Sequence, residues 1–238
     1  MSTFTFSQAR SQIEYPESNG KPLAETDAHI QAIIDAIETL ADFFRNDPQV
    51  YVAGNLLMYY EEGNPAASIA PDVFVVRGVP KTARRVYKLW EEGHPPTMVL
   101  EITSRSTRVE DSGNKRFLYA LLGVREYFLY DPLGEYLDPP LQGFELSQRE
   151  YAPLAPEADG SLACRTLRLK LVIEAGQLRF SDLATGQRLL RPAEAQEQAR
   201  LEAEARRAAE QRLADAEAEL ARLRAELARL RGETPPGG

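Results

Sequence analysis

Cysteine is nearly absent from this sequence, which contains a single one, Cys164. A lone thiol excludes an intramolecular disulfide framework and excludes zinc sites built from several thiolates. Long apolar runs are also missing. No stretch approaches the roughly 18 apolar residues that cross a bilayer, and residues 1–12 lack the apolar core of a signal peptide. We therefore expect a cytoplasmic protein without a membrane partner, in a reducing compartment where Cys164 is a small apolar residue.

An excess of basic charge is missing as well. The formal net charge of the 238 residues is −8, and the part from Gln187 onward has ten Arg and ten Asp plus Glu. The whole acidic excess therefore falls on residues 1–186. Tight nonspecific DNA binding needs many Lys and Arg contacts to phosphates, so any DNA binding is expected to be weak or assisted by a partner. Clustered carboxylates, in contrast, suit a divalent cation.

The composition changes near Arg191-Pro192, where a mixed sequence gives way to a run of Ala, Glu, Arg and Leu. We predict a globular domain over 1–186 and, over 187–238, a long helix with a disordered C-terminal end. Apolar residues in this helix recur in heptads, namely Leu213, Leu220 and Leu227, followed three residues later by Ala216, Leu223 and Leu230. This pattern predicts a coiled coil and a homo-oligomer, the alternative being a solvated single helix. Leucine at both core positions leaves the number of strands open.

In the globular part the sequence predicts, in order, a helix, three strands, a second helix and a further strand. This order indicates an α/β sandwich. Thr26 or Asp27 can cap the first helix, and strands are predicted over 49–60, 72–77, 97–103 and 126–130. The second helix is predicted over 112–122, and 143–182 as meandering antiparallel strands at the sheet edge. Two sets of apolar residues are expected to face inward: Ile30, Ile33, Ile34, Ile37, Leu40, Phe43 and Phe44 from the first helix, and Phe117, Leu118, Leu121 and Leu122 from the second.

Three polar residues stand where burial ordinarily demands apolar side chains. Asp72 begins a strand, Glu101 lies inside the apolar run 98–102, and Lys115 opens the second helix. Two carboxylates on neighbouring strands are costly to bury unless a cation or hydrogen bonds compensate them. Hard oxygen ligands suit Mg²⁺ or Mn²⁺ rather than zinc. The alternatives are an Asp72 that merely ends a turn and a Lys115 that is solvated.

The ordered series Pro71-Asp72, Glu101-Ile102-Thr103, Lys115 with Tyr119, and Asp131-Pro132 resembles the PD-(D/E)XK nuclease superfamily. It resembles more closely the Uma-two branch of putative restriction endonucleases. The resemblance implies a restriction-endonuclease-like mixed sheet flanked by helices, and a metal held by Asp72, Glu101 and the main-chain carbonyl of Ile102. It also implies that Lys115 orients the attacking water or neutralises the phosphate.

The superfamily pattern places Lys two residues after Glu, where this chain has Thr103, so Lys115 from the next helix is the candidate for that role. Glu25, at the start of the first helix, is a candidate extra ligand or base, although an acidic residue there commonly serves the helix dipole. The histidines His29 and His94 have no metal-ligand spacing and are expected to be structural or exposed.

Three hypotheses for function follow. The first is a Mg²⁺- or Mn²⁺-dependent endonuclease that hydrolyses DNA and self-associates through its tail. The second is a noncatalytic scaffold or nucleic-acid-binding subunit that keeps the nuclease fold and recruits partners through its coiled coil. The third is a nuclease whose target is supplied by a partner bound to the coiled coil.

Overall fold

The computed structural model describes residues 14–17, 26–104, 107 and 111–231. Contacts divide the chain into two units, which join in the sequence between Arg191 and Pro192. The first unit is built around sheets and short helices, and the second is a single long helix. None of the helices in the described ranges has the length and apolar character needed to span a membrane.

The central sheet of the first unit has six strands in the order β1-β4-β6-β7-β8-β9. Their bounds are Val50–Ala53 for β1, Val73–Arg77 for β4, Met98–Ile102 for β6, Glu126–Tyr130 for β7, Leu141–Ser147 for β8 and Glu150–Pro153 for β9. Strands β6 and β7 are parallel and the other neighbouring pairs are antiparallel. The parallel pair requires a crossover connection, which residues 103–125 supply.

Two smaller sheets flank the central one, each with three strands, in the orders β3-β2-β5 and β10-β11-β12. The bounds are Met58–Tyr59 for β2, Ser68–Ile69 for β3, Tyr87–Lys88 for β5, Leu162–Cys164 for β10, Leu169–Glu174 for β11 and Gln177–Asp182 for β12. The helices are α1 (Asp27–Phe43), α2 (Leu89–Glu92), the π-helical turn π1 (Asp111–Lys115) and α3 (Arg116–Leu122).

Both faces of the central sheet are buried. In β4, Val73 and Val75 belong to the core cluster that includes α1 and the sheet β10–β12. Phe74 and Val76 alternate with them and belong to the second cluster, together with Tyr119 of α3. Strands covered on both faces are apolar along their whole length, which explains why these segments lack an alternating pattern.

The predicted α/β class is confirmed as a mixed sheet flanked by helices. The strands predicted over 72–77, 97–103 and 126–130 are confirmed as β4, β6 and β7, and Thr26 caps α1 by accepting a hydrogen bond from the His29 N–H at 3.3 Å. The single strand predicted over 49–60 is wrong, because the chain breaks at Gly54 into β1 and β2. The antiparallel strands predicted over 143–182 exist, but β10–β12 form a separate sheet rather than the sheet edge.

The predicted inward faces of the two helices are partly wrong. On α1, Ile33 and Leu40 are buried, whereas Ile30 and Ile34 are exposed. On α3, Phe117 and Leu121 are 73% and 71% exposed, whereas Tyr119 is fully buried. Tyr119 faces inward, where it packs on Tyr127 and donates a hydrogen bond to the buried carboxylate of Glu101.

The second unit is the helix α4, Pro192–Leu230, which is 39 residues long and has no buried side chain. Proline is well suited to its first position, because the N–H that proline lacks would have no partner within the helix. Residues 232–238 lie outside the described residues, so the predicted disorder of the C-terminal end stays a prediction. The domain bounds 1–186 and 187–238 and the coiled coil stay predictions.

Candidate active site

Asp72 and Glu101 lie side by side on two antiparallel neighbours of the central sheet. Asp72 directly precedes β4 and Glu101 lies in β6, where Val73 faces Leu100 across the ladder. The main-chain N–H of Ile102 donates to Asp72 Oδ2 at 2.8 Å, and the N–H of Asp72 donates to Glu101 Oε2 at 3.4 Å. The two carboxylates are therefore adjacent, each bonded to the other's strand.

A close backbone approach fixes the start of β4. A Cβ added at Gly54 would lie 2.1 Å from the carbonyl oxygen of Asp72 and 2.6 Å from the side chain of Ile37. The next residue, Asn55, donates its N–H to the carbonyl of Pro71 at 2.9 Å. Only glycine fits at position 54, so the break between β1 and β2 holds Pro71-Asp72 in place.

Glu101 is fully buried and receives hydrogen bonds from two side chains of the crossover. Lys115 Nζ lies 2.9 Å from Oε2, and the Tyr119 hydroxyl donates to Oε1 at 2.5 Å. Lys115 ends π1 and Tyr119 lies four residues further in α3, so both face the same side. The structure thus brings a lysine from the next helix beside Glu101, and its role as the motif lysine stays a prediction.

Burial raises the pKa of Glu101 to about 7 because the charged form loses its hydration, and the negative charge of Asp72 adds to the rise. Lys115 and the hydrogen bond from Tyr119 act in the opposite direction. Burial and the neighbouring Glu101 also raise the pKa of Tyr119 well above its ordinary value, so its hydroxyl stays a donor. A carboxylate that titrates near neutrality in this way is characteristic of functional sites.

His29 is the residue of this site that the sequence analysis missed. It is 1% exposed, and its Nε2 lies 2.5 Å from the carbonyl oxygen of Ile102 and 3.7 Å from Asp72 Oδ2. The cap at Thr26 sets the first turn of α1 and so orients His29 toward β6. The sequence gives no reason to place His29 rather than His94 at the site, because His29 is 43 residues from Asp72 and shares no motif with it.

The donor atoms present suit a small divalent cation. Two ligands at right angles on an octahedral ion with bonds of about 2.1 Å lie about 3 Å apart. The separation of His29 Nε2 from the carbonyl oxygen of Ile102, 2.5 Å, is shorter than that value and is a hydrogen bond in which the imidazole N–H donates. Its separation from Asp72 Oδ2, 3.7 Å, is longer than that value. In the described part of the chain, no three His, Cys, Asp or Glu side chains form a metal-binding group by themselves. A metal site made from the described residues would therefore include the main-chain oxygen of Ile102.

The hydroxyl of Thr103 is buried close to Glu101. The Thr103 side chain is 1% exposed, and its Oγ1 has no hydrogen-bond partner among the residues that the structure describes. An unsatisfied buried hydroxyl costs about 1–3 kcal/mol. Thr103 is two residues from Glu101 along an extended segment, so both side chains lie on the same face. A water held at this face would satisfy the hydroxyl. Glu25, the remaining predicted site residue, lies outside the described residues.

A mixed sheet flanked by helices, with two carboxylates on adjoining strands and a lysine bonded to one of them, defines a restriction-endonuclease-like protein. The chain belongs to the Uma2 family, described as "Putative restriction endonuclease", whose model matches residues 4–175. Membership of this family supports nuclease function and a divalent metal as cofactor. The resemblance drawn from the sequence is therefore confirmed.

Among solved structures, the chain is similar to a putative nuclease of the DUF820 group from Anabaena variabilis. The identity is 13%, the match covers 60% of this chain and 75% of the other, and the TM-score is 0.44. Comparison with the curated proteins gives no match.

Proposed function

We propose that this protein is a Mg²⁺- or Mn²⁺-dependent endonuclease that hydrolyses phosphodiester bonds of DNA and self-associates through α4. The observation that carries the proposal is the pairing of Asp72 with Glu101, where Glu101 is fully buried and bonded to Lys115. Two adjoining carboxylates and a lysine are groups that metal-assisted hydrolysis of phosphodiesters uses. The chain also belongs to a family described as nucleases.

Asp72, Glu101 and the carbonyl of Ile102 would hold the metal ion. When bound, the ion would lower the pKa of a water molecule and stabilise charge on the phosphate. Lys115 Nζ, 2.9 Å from Glu101, would remain beside the reacting phosphate and stabilise its developing negative charge. Tyr119 would keep Glu101 oriented through its hydrogen bond, and Glu25 is a further proposed ligand or base.

We also propose that His29 exchanges its hydrogen bond to the carbonyl of Ile102 for the same ion and becomes a nitrogen ligand, because its Nε2 faces both that carbonyl and Asp72 Oδ2. Mg²⁺ binds almost entirely through oxygen, so a nitrogen in the donor set favours Mn²⁺. Pulsed electron paramagnetic resonance of Mn²⁺ bound to the wild-type chain should show coupling to a ¹⁴N nucleus. The coupling should vanish in His29→Gln and persist in His94→Gln. Retention of the coupling in His29→Gln would contradict the assignment.

The acidic charge of residues 1–186 predicts low intrinsic affinity for DNA. Self-association would compensate for this low affinity. Once one of two linked units has bound a duplex, the second unit binds the same duplex at a raised effective concentration. Two active sites would also allow both strands to be cut.

The test of catalysis is nicking of supercoiled plasmid with Mg²⁺ or Mn²⁺. Wild type should nick only with metal, and Asp72→Ala and Glu101→Ala should both abolish nicking. The matched controls are Asp42→Ala and Glu150→Ala, which change exposed carboxylates of α1 and β9 and should nick like wild type. Activity that survives both site changes would contradict the proposal.

The rival function is a noncatalytic scaffold that keeps the nuclease fold. The acidic first unit and Thr103 in place of the motif lysine are the observations that favour it. It predicts no nicking by any variant, together with capture of partner proteins that is lost when 192–238 is deleted.

A further inference from the structure

An apolar stripe on α4 is uncovered in the single chain. The leucines of this stripe are between 47% and 80% exposed, namely Leu213, Leu220, Leu223, Leu227 and Leu230. They recur with the spacing of heptad core positions, a and d, on a helix of 39 residues. A repeat of 3.5 residues requires a partner helix that supercoils with it, whereas a helix packing on a globular surface follows a period of 3.6.

Charged residues flank the stripe at the positions next to the core. With Leu213, Leu220 and Leu227 at position a, the preceding g positions and the following e positions are both charged. The g positions are Arg212, Glu219 and Glu226, and the e positions are Glu217, Arg224 and Arg231. Side chains at e and g face the partner helix and determine its identity and orientation.

We infer that α4 pairs with the α4 of a second copy of this chain, in parallel and in register. This inference rests on the proposed self-association and adds its orientation. In a parallel pair each g position faces the e position five residues later on the partner. Arg212 then faces Glu217, Glu219 faces Arg224, and Glu226 faces Arg231. All three contacts join opposite charges, and symmetry doubles each one.

Other alignments bring like charges together. In an antiparallel pair, g positions face each other. The antiparallel alignment that matches all the leucines places Glu219 opposite Glu226, which repel each other. It also brings the e positions together, with Glu217 opposite Arg224, so its contacts are of mixed sign. A shift by one heptad places Glu219 or Glu226 opposite its own copy. A parallel pair shifted by one heptad places Arg212 opposite Arg224 and Glu219 opposite Glu217, which repel, beside attractive contacts such as Glu226 opposite Arg224. The parallel pair in register is therefore the alignment that the charges favour.

The orientation has a consequence for the proposed endonuclease. A parallel pair brings both N-terminal ends of α4, at Pro192, to the same end of the coiled coil. The antiparallel pair that matches the leucines would hold them about 90 Å apart, because Pro192 would then lie about 59 residues along the axis from its copy at about 1.5 Å per residue. The parallel pair therefore tethers the first units of two copies to the same end of the coiled coil.

Charge reversal distinguishes the two orientations in the full chain. Glu219→Arg should weaken the dimer about tenfold in dissociation constant, because in the parallel pair the new arginine lies opposite Arg224 at two symmetric contacts. Adding Arg224→Glu in the same chain should restore the wild-type constant within a few-fold. An antiparallel pair predicts the opposite sign, because Glu219→Arg would relieve the repulsion by Glu226 and tighten the dimer.

Disulfide formation tests the register. Ala216→Cys, at a core position, should give a disulfide-linked dimer under mild oxidation, because identical positions meet in a parallel pair in register. Ala214→Cys, two residues away and off the stripe, is the matched control and should stay unlinked. A linked product that forms only when Ala216→Cys is mixed with Leu227→Cys would overturn the inference in favour of the antiparallel pair.

Sedimentation velocity separates the failure of this inference from that of the proposed function. A wild-type chain that stays monomeric at all concentrations would overturn self-association and the orientation with it. Oligomers with the antiparallel pattern would overturn the orientation alone. Metal-dependent nicking tests the active site independently of both outcomes.

Discussion

Lys115 Nζ lies 2.9 Å from Oε2 of the fully buried Glu101, although the two residues are 14 positions apart in the chain. The lysine reaches the carboxylate from the turn that precedes α3, and not from the strand that carries Glu101. The buried charge of Glu101 is thereby paired, which a carboxylate inside an apolar sheet requires.

Lys115→Ala should lower the metal-dependent nicking rate by a factor of about 10² or more, because it removes a positive charge beside the phosphate. It should also lower the free energy of unfolding by about 3 kcal/mol, since Glu101 loses its charged partner. Nicking rates and denaturant titrations measure the two effects. Lys88→Ala, which removes a half-buried lysine bonded to Glu91 away from the site, should leave the nicking rate unchanged and lower the free energy of unfolding by less, about 1 kcal/mol.

Glu101 should make the stability of the metal-free protein depend on pH. Its pKa is raised from 4.5 to about 7, so the folded state holds a proton that the unfolded state releases. The stabilisation is complete below pH 4.5 and is lost as pH rises through about 7, a change of about 3 kcal/mol. Glu101→Gln should remove this component. The measurement is the difference between wild-type and Glu101→Gln unfolding free energies from pH 4 to 8. A difference that does not vary with pH would contradict the raised pKa.

Tyr119→Phe should raise the pKa of Glu101 further, because the lost hydrogen bond favours the carboxylate form. The stability cost is about 1–2 kcal/mol for a buried hydrogen bond. Tyr151→Phe is the matched control, since its buried hydroxyl donates to the carbonyl of Val124 at 2.8 Å, away from the site. Both variants should lose similar stability, whereas only Tyr119→Phe should shift the pH dependence of stability.

Thr103→Val should have effects of opposite sign on stability and activity. Valine matches the shape of threonine and removes a hydroxyl that lacks a partner in the described residues, so the metal-free chain should gain about 1–2 kcal/mol. If the hydroxyl holds a water of the site, nicking should slow. Thr103→Ser, which keeps the hydroxyl, should retain most of the activity. Loss of stability in Thr103→Val would show that the hydroxyl is already satisfied.

Much of the fold and part of the site follow from the sequence. The resemblance to the nuclease superfamily predicted Asp72, Glu101 and Lys115 as site residues, and the structure places their side chains together. Their assigned roles stay predictions. His29 was not predicted, since a contact between the first turn of α1 and the carbonyl of Ile102 depends on how the helix packs across the sheet. In α3, likewise, the apolar pattern predicted that Phe117 and Leu121 face inward, whereas Tyr119 is the buried residue and donates a hydrogen bond to Glu101.

Direct binding of metal tests the central claim, which is that Asp72, Glu101 and the carbonyl of Ile102 hold a divalent ion. Calorimetric titration of the full chain with Mn²⁺ and with Mg²⁺ should show one site per chain in wild type and in Asp42→Ala. Asp72→Asn, which keeps the size of the side chain and removes its charge, should lose the site. Absence of binding by the wild type, or unchanged binding by Asp72→Asn, would contradict the assignment of this site.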